Sequence, residues 1–472
     1  MLIESLRFSN KTLKKVYFIA ILLSIFYYLL SLSRHYLFQS NAYDLGLFDQ
    51  WIWLLSQGFS AYSSMCGLHI FADHGAWILV FPALLYKILP RIDILLISQA
   101  IALNFTSIPL WMLSKYSGLS DRKAFLICIL WFLQPVVFNV NLFDFHPEVL
   151  VMPLIAFSYL FLRKNQIIYW CISLVFILGA RDGLILLILG FSIEQICRRK
   201  FNLASYAFAI AIIWSIFLNR FLYPSLNLNN EGVLAVGNHF GYLGSSLQEL
   251  IINIINNPLI LFRQINYEEG LFYIVILYLP FVFFLRKSSF PVLNATIPLL
   301  LVNLLAETFS FRTLIHHYSL PIALVINISC IDSIKSINFL ITFRRIFIWL
   351  LICWSALAKP WFFIGPYLNR IDSLAPAYEA FSLISNEDRI LTTSYFVPHL
   401  SQRLKIDFPR PENYKYNLND FDTLLLNHSD PGWGSDAKIQ EKFIYEAKEN
   451  GWSCKSWNNN LEFCTSKFSK SK

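Results

Sequence analysis

The sequence predicts an all-α polytopic membrane bundle of about eleven transmembrane helices with a small external α/β domain at its C-terminal end. Three observations carry that expectation. The 472 residues are 56% hydrophobic and only 14% charged, with a mean hydropathy of +0.52, too apolar for a water-soluble domain. Apolar runs recur from Val16 to Ile364, and every basic doublet or triplet between them falls on one side once the runs are threaded in order. From Gly365 the texture changes to polar residues with short alternating runs. Residues 1–364 are therefore read as the membrane domain and 365–472 as the soluble one.

The first run, Val16 to Ser33, follows Arg7, Lys11, Lys14 and Lys15, which keep the N-terminus cytoplasmic. Without a small-residue cleavage site, it reads as a retained anchor. An external loop, 34–93, follows. Within it Ala76 to Pro90 is apolar but short, broken by Pro82 and carrying Lys87, and reads as an interfacial or re-entrant helix. Counting it as a span would move Lys115 to Lys123 and Arg163-Lys164 outside.

The remaining spans are read as Ile94–Ser114, Lys123–Val140, Val149–Leu162, Gln166–Leu178, Leu184–Ile196, Tyr206–Leu222, Leu271–Leu285, Val292–Leu305, Tyr318–Ile331 and Ile346–Ile364. Between Tyr223 and Gly270 lies an external loop with an amphipathic helix around Leu247 to Phe262. In the tail, Arg389–Ser394, Lys405–Phe408, Asp422–Asn427 and Leu461–Thr465 read as strands and Asp436–Asn450 as a helix.

The net charge of +8 is distributed as topology-setting clusters, which argues against nucleic acid as a partner. Eight cysteines show no metal-binding spacing. Cys454 and Cys464 alone lie in the external tail, where a disulfide and two free thiols are both open.

With this topology the cytoplasmic ionisable groups are nearly all Lys and Arg. The external set contains Asp44, Asp49, His69, Asp73, His74, Asp144, His146, Glu148, Arg181, Asp182, Arg312, His316 and His317. Ionisable groups at span ends face a bundle interior or a wet cavity, so the clustering points to one external site. Asp44 has the chemistry of a general base; the plainer alternative is a cap for a helix spanning Leu45 to Leu55. Asp49, one turn further on, suits the positive end of the same helix. His69, Asp73 and His74, and Asp144, His146 and Glu148, carry donors for a divalent metal, with Asp144 and His146 the leading candidates, but neither spacing is diagnostic. Arg181 with Asp182, and Arg312 with His317, offer contacts for an anionic group or a structural ion pair and an interfacial anchor.

Tyr43-Asp44-Leu45-Gly46-Leu47-Phe48-Asp49-Gln50, the segment His69 to His74, Phe143-Asp144-Phe145-His146-Pro147-Glu148, and Pro398-His399-Leu400-Ser401-Gln402-Arg403 together resemble the prokaryotic membrane-protein family DUF2079 over most of the chain. That family is grouped with the GT-C glycosyltransferases. The resemblance implies a GT-C-like membrane domain, a sugar taken from a polyprenyl-phosphate donor at the outer face, and catalytic acidic residues at Asp44 and Asp144. This chain departs from the family at Ala180-Arg181-Asp182, where a basic-Glu-Asp run is expected, and at Asn427, where Asp is usual.

The resulting expectation is a glycosyltransferase-like protein of the cell (inner or plasma) membrane. Asp44 and Asp144 are its catalytic residues, and Asp49, His69, His74, His146, Glu148, Arg181, Asp182, Arg312 and His317 contact substrate. Membrane lipid and the polyprenyl-phosphate-linked sugar are its partners, and a divalent metal is the one cofactor left open. The alternative is a non-enzymatic lipid-handling or transport protein.

Overall fold

The computed structural model describes residues 11–226, 239–244, 247–261, 265–334, 343–360, 368, 370–411, 416–457 and 461–466. By length and composition, five helices can cross a membrane: Lys11–Tyr36, Asp93–Tyr116, Phe201–Leu226, Tyr267–Phe284 and Lys287–Leu305. A sixth follows if Asp121–Phe132 and Pro135–Leu142 count as one span bent by 40°. The bend falls where Pro135 opens a new helix, having no N–H to continue the old one.

The expected count of eleven is therefore not reached by length. The other five runs do form helices, Met152–Arg163, Ile167–Leu178, Ile185–Cys197, Leu320–Ser333 and Phe343–Leu357, but these are only 12 to 15 residues long. At 1.5 Å per residue that is roughly 18–23 Å, short of a hydrocarbon core of about 30 Å. Three of them are preceded by a 3₁₀ turn, Pro147–Val151, Asp182–Leu184 and His317–Ser319. The last span was expected to continue to Ile364, and 361–367 lie outside the described residues. The helix expected around Leu247 is present as Leu247–Asn256; 262–264 also lie outside them.

The first helix shows how packing divides the apolar surface. Phe18, Ile21, Leu22, Ile25, Phe26 and Leu29 are exposed, whereas Val16, Ala20, Ser24, Tyr27 and Ser31 are buried. Small residues on the buried stripe let the helix lie close to Asp93–Phe105, and the Ser24 hydroxyl donates to the carbonyls of Ala20 (2.7 Å) and Ala100 (3.3 Å).

Met152–Arg163, Ile185–Cys197 and Leu320–Ser333 run side by side in one direction. At their starts Glu148 meets Arg181 and His317; at their ends Asp332 meets Arg163 and Arg198. Gly190 lets Ile185–Cys197 pack tightly against the span Lys287–Leu305, since a Cβ there would sit 2.0 Å from the Ala295 carbonyl oxygen.

The tail forms a five-stranded sheet in the order β2-β1-β3-β5-β4, from β1 (Ile390–Thr392), β2 (Ile406–Asp407), β3 (Thr423–Asn427), β4 (Ser453–Trp457) and β5 (Leu461–Thr465). β1 pairs in parallel with β2 and β3, while β5 is antiparallel to β3 and β4. Four strands match the expected runs. β4 does not, because its residues alternate too little in polarity to mark a strand. Helix Ala437–Glu449 is capped by Asp436, whose side chain accepts from Ile439 N–H. Cys454 and Cys464 stand opposite each other across β4 and β5 and are joined by a disulfide.

Candidate functional site

The tail docks against the first loop. Ser401 Oγ and Gln402 Nε2 donate to Asp49 at 2.6 and 3.1 Å, and the Gln50 amide donates to the Arg403 carbonyl at 3.1 Å. Ile406 N–H donates to Ser64 Oγ at 2.9 Å. The Arg410 guanidinium donates to Tyr43 Oη and, at 2.9 Å, to the Met65 carbonyl. Gly46 permits this approach: a Cβ there would lie 2.9 Å from Val397 Cγ1.

Asp44 occupies a π-helical turn, Ala42–Gly46, and the helix that follows, Leu47–Gln57, has Gly46 as its N-cap without a side-chain hydrogen bond. The capping alternative for Asp44 is therefore not what the loop uses. Its side chain is 31% exposed, and its Oδ1 faces Nε2 of the buried His146 at 3.4 Å.

His146 reaches that position through an unusual loop. Asp144 has φ of 70°, a left-handed conformation that Asp tolerates better than most residues. The Gln99 amide clamps the turn by donating to the Asp144 carbonyl (2.7 Å) and accepting from His146 N–H (3.1 Å). The Asp144 carboxylate pairs with the Arg34 guanidinium and accepts Asn41 N–H at 3.0 Å. Asp144 thus braces the loop bearing Asp44, and its carboxylate and the His146 ring are directed at different partners. Among the described residues, no group of three or more His, Cys, Asp or Glu side chains is arranged to hold a metal ion.

Behind His146 lies a buried relay. The His146 and His317 rings are 4.1 Å apart between centroids. Glu148 Oε1 accepts from Arg181 at 2.9 Å and lies 3.2 Å from His317 Nε2; Arg181 also contacts His317 and lies 5.3 Å from the Tyr318 ring centroid. Burial, reinforced by His146 and Arg181, holds His317 well below the usual histidine range. His316 is likewise pushed down to about 4 by burial and by His146.

A second polar arm adjoins the first at Asp182, the residue after Arg181. His74 lies 3.2 Å from Asp182 and 3.4 Å from Asp73, and Tyr223 Oη donates to Asp182 at 3.1 Å. Burial opposes both charges in the His74–Asp182 pair. The neighbouring Asp73 and Asp182 carboxylates outweigh it and raise His74; His74, Arg181 and the Tyr223 hydroxyl outweigh it at Asp182, which falls to about 2.

Asp44, His74, His146, Glu148, Arg181, Asp182 and His317 are therefore brought together, with Asp144 beneath them. Three expected site residues lie elsewhere. Asp49 is an inter-segment tie, held by Ser401, Gln402 and Tyr86 Oη (2.7 Å), and burial raises its carboxyl to about 6 despite those hydrogen bonds. His69 caps Ile70–His74 by accepting Phe71 N–H at 3.2 Å. Arg312 pairs with Glu269 at 2.9 Å and donates to the Ala306 carbonyl. Sequence reasoning did not single out Arg34, Gln99 or Tyr223. Arg34 and Gln99 carried a signal, as strongly polar side chains next to or within apolar runs; Tyr223 carried none.

A largely helical chain with several membrane-crossing helices and an ionisable cluster at the ends of three of its shorter ones is a multi-pass membrane protein. Residues 34–463 match the model of the DUF2079 family of predicted membrane proteins, and the chain belongs to that family. No curated protein matches it.

Proposed function

We propose that this protein is a GT-C-type inverting glycosyltransferase that uses a polyprenyl-phosphate sugar at the external membrane face, with its N-terminus cytoplasmic and its tail outside. The observation that carries this reading is a partly open carboxylate, Asp44, set against the buried His146–His317–Glu148–Arg181 group. Asp44 takes the proton of an acceptor hydroxyl as that oxygen bonds to the anomeric carbon. The bond from that carbon to the lipid phosphate breaks, and polyprenyl phosphate leaves with the electron pair. His146 orients the base, and Arg181 contributes positive charge near the departing phosphate. Asp144 acts through the Asp44 loop as a positioning residue.

The orientation is supported by the basic residues Arg163 and Arg198 at the C-terminal ends of the parallel helices, opposite the Asp44 end. It also accords with a disulfide in the tail.

The test is sugar transfer in proteoliposomes from radiolabelled polyprenyl-phosphate donors, with membrane extract as acceptor. Asp44→Asn should lower turnover by about 10²- to 10⁴-fold while inserting normally, the usual contribution of a general base. Wild-type turnover in that variant would remove Asp44 from the mechanism. Label that stays on the lipid across a broad donor panel would favour lipid handling without transfer.

A further inference from the structure

Of the two arginines that the sequence offers for a donor phosphate, Arg181 shares its charge with Glu148 and Arg312 shares its charge with Glu269. Arg220 differs. It has no ion pair or side-chain hydrogen bond among the described residues, and it lines a shallow, open groove of about 560 Å³ along one helical stretch with Phe217, Phe221, Leu222, Pro224 and Ser225. That lining contains one cation, no carboxylate and two exposed phenyl rings.

Resting on the transferase reading above, we propose that this groove seats the lipid-linked donor, with the Arg220 guanidinium on its phosphate and Phe217 and Phe221 beside the first isoprenoid units. Three features of the fold place the groove suitably. It lies near the C-terminal end of the candidate span Phe201–Leu226, where a basic side chain among apolar residues meets lipid head groups. The helix opens there into a π-turn, Leu218–Leu222, a distortion that widens the backbone and recurs at functional sites. Tyr223, three residues beyond Arg220, donates to Asp182, which pairs with His74 and follows Arg181. Tyr223, between the lining residues Leu222 and Pro224, thus ties this segment to the Asp182–His74 arm of the polar cluster. A guanidinium fork suits a phosphate carrying two free oxygens, and the apolar walls suit a chain without polar atoms.

The test is photolabelling of the detergent-solubilised full-length protein with a benzophenone-tagged polyprenyl phosphate lacking sugar, with the labelled peptide located by mass spectrometry. Label should fall within residues 217–225 and be displaced by untagged polyprenyl phosphate but not by phosphatidylglycerol or inorganic phosphate. Arg220→Gln should lose roughly tenfold or more of the labelling, and Arg220→Lys, which keeps the charge but not the planar fork, should fall between Arg220→Gln and wild type. Both variants should elute from gel filtration as wild type does. Label outside the groove, equal labelling in Arg220→Gln, or equal displacement by phosphatidylglycerol would overturn the assignment. Because this readout needs no turnover, it separates from the transferase test. Specific labelling without sugar transfer from any donor leaves the groove standing and sinks the transferase, whereas transfer by Arg220→Gln with unchanged KM does the reverse.

Discussion

The parallel helices Met152–Arg163, Ile185–Cys197 and Leu320–Ser333 carry charged groups at both ends, and the two ends are built differently. At the C-terminal end Asp332 sits between Arg163 (3.1 Å) and Arg198 (3.5 Å), and Arg198 also holds the buried Glu194 at 2.8 Å. Each carboxylate there has a guanidinium, and the arginines suit the negative ends of the helix dipoles. At the N-terminal end Glu148 and Asp182 are held in the same way by Arg181 and His74, but Asp44 faces only a histidine and remains partly open. Neither ring nitrogen of His146 makes a hydrogen bond among the described residues. One end is a closed structural network, and the other holds polar capacity in reserve. Among the described residues, the tail packs on the loop that carries Asp44, at the second end.

The sharpest way to break that contrast is the Asp44→Asn loss of turnover described above, which should leave thermal stability unchanged because the group is partly solvated. Glu148→Gln should instead act on folding. It leaves the half-buried Arg181 guanidinium and the buried His317 without the carboxylate they share, so we expect a loss of about 3 kcal/mol in detergent unfolding.

The tail supplies the next comparison through Asp49. Its carboxyl is raised by burial from an ordinary value near 3.8 to about 6. A raised acid stabilises the fold fully below the unfolded value, and that contribution is lost as pH climbs through about 6. Asp49→Asn removes this dependence. Its stability relative to wild type should therefore increase by about 2 kcal/mol between pH 4 and pH 7, as read from unfolding curves at each pH. A flat difference would show that Asp49 is solvated and that the tail does not close over this end.

Asp332→Asn at the opposite end should cost only about 2 kcal/mol, since Arg163 and Arg198 are both partly exposed, and turnover per folded molecule should be unchanged. A fall in turnover would couple the two ends. The smallest effect belongs to the disulfide. Replacing Cys454 and Cys464 with Ala should destabilise the sheet by up to about 2 kcal/mol, checked by thermal unfolding. Alkylation of the protein in intact cells before and after reduction should show both thiols protected until reduction, as an external tail requires.

What the sequence determined by itself is local. Hydropathy located the helices, the basic clusters separated the two ends of the bundle, and period-two runs marked four of the five strands. Even the candidate side chains were legible by type, because an ionisable group beside an apolar run is expensive wherever the run ends up. Tertiary structure decided which of them share a site. Arg34 reaches Asp144 across 110 residues and Arg181 reaches His317 across 136, and no periodicity encodes such pairings. The same limit explains the misreadings. Asp144 resembles Asp44 in composition and loop position, yet Arg34 and the Asn41 N–H claim its carboxylate, leaving Asp44 the more open of the two. Helix starts were also settled in three dimensions: 3₁₀ turns at Pro147–Val151, Asp182–Leu184 and His317–Ser319 precede three helices of 12 to 14 residues, and it is these turns that carry Glu148, Asp182 and His317 into the polar cluster. Burial and pairing are properties of neighbours brought together by folding, and a one-dimensional pattern carries only the likelihood that such neighbours will be needed.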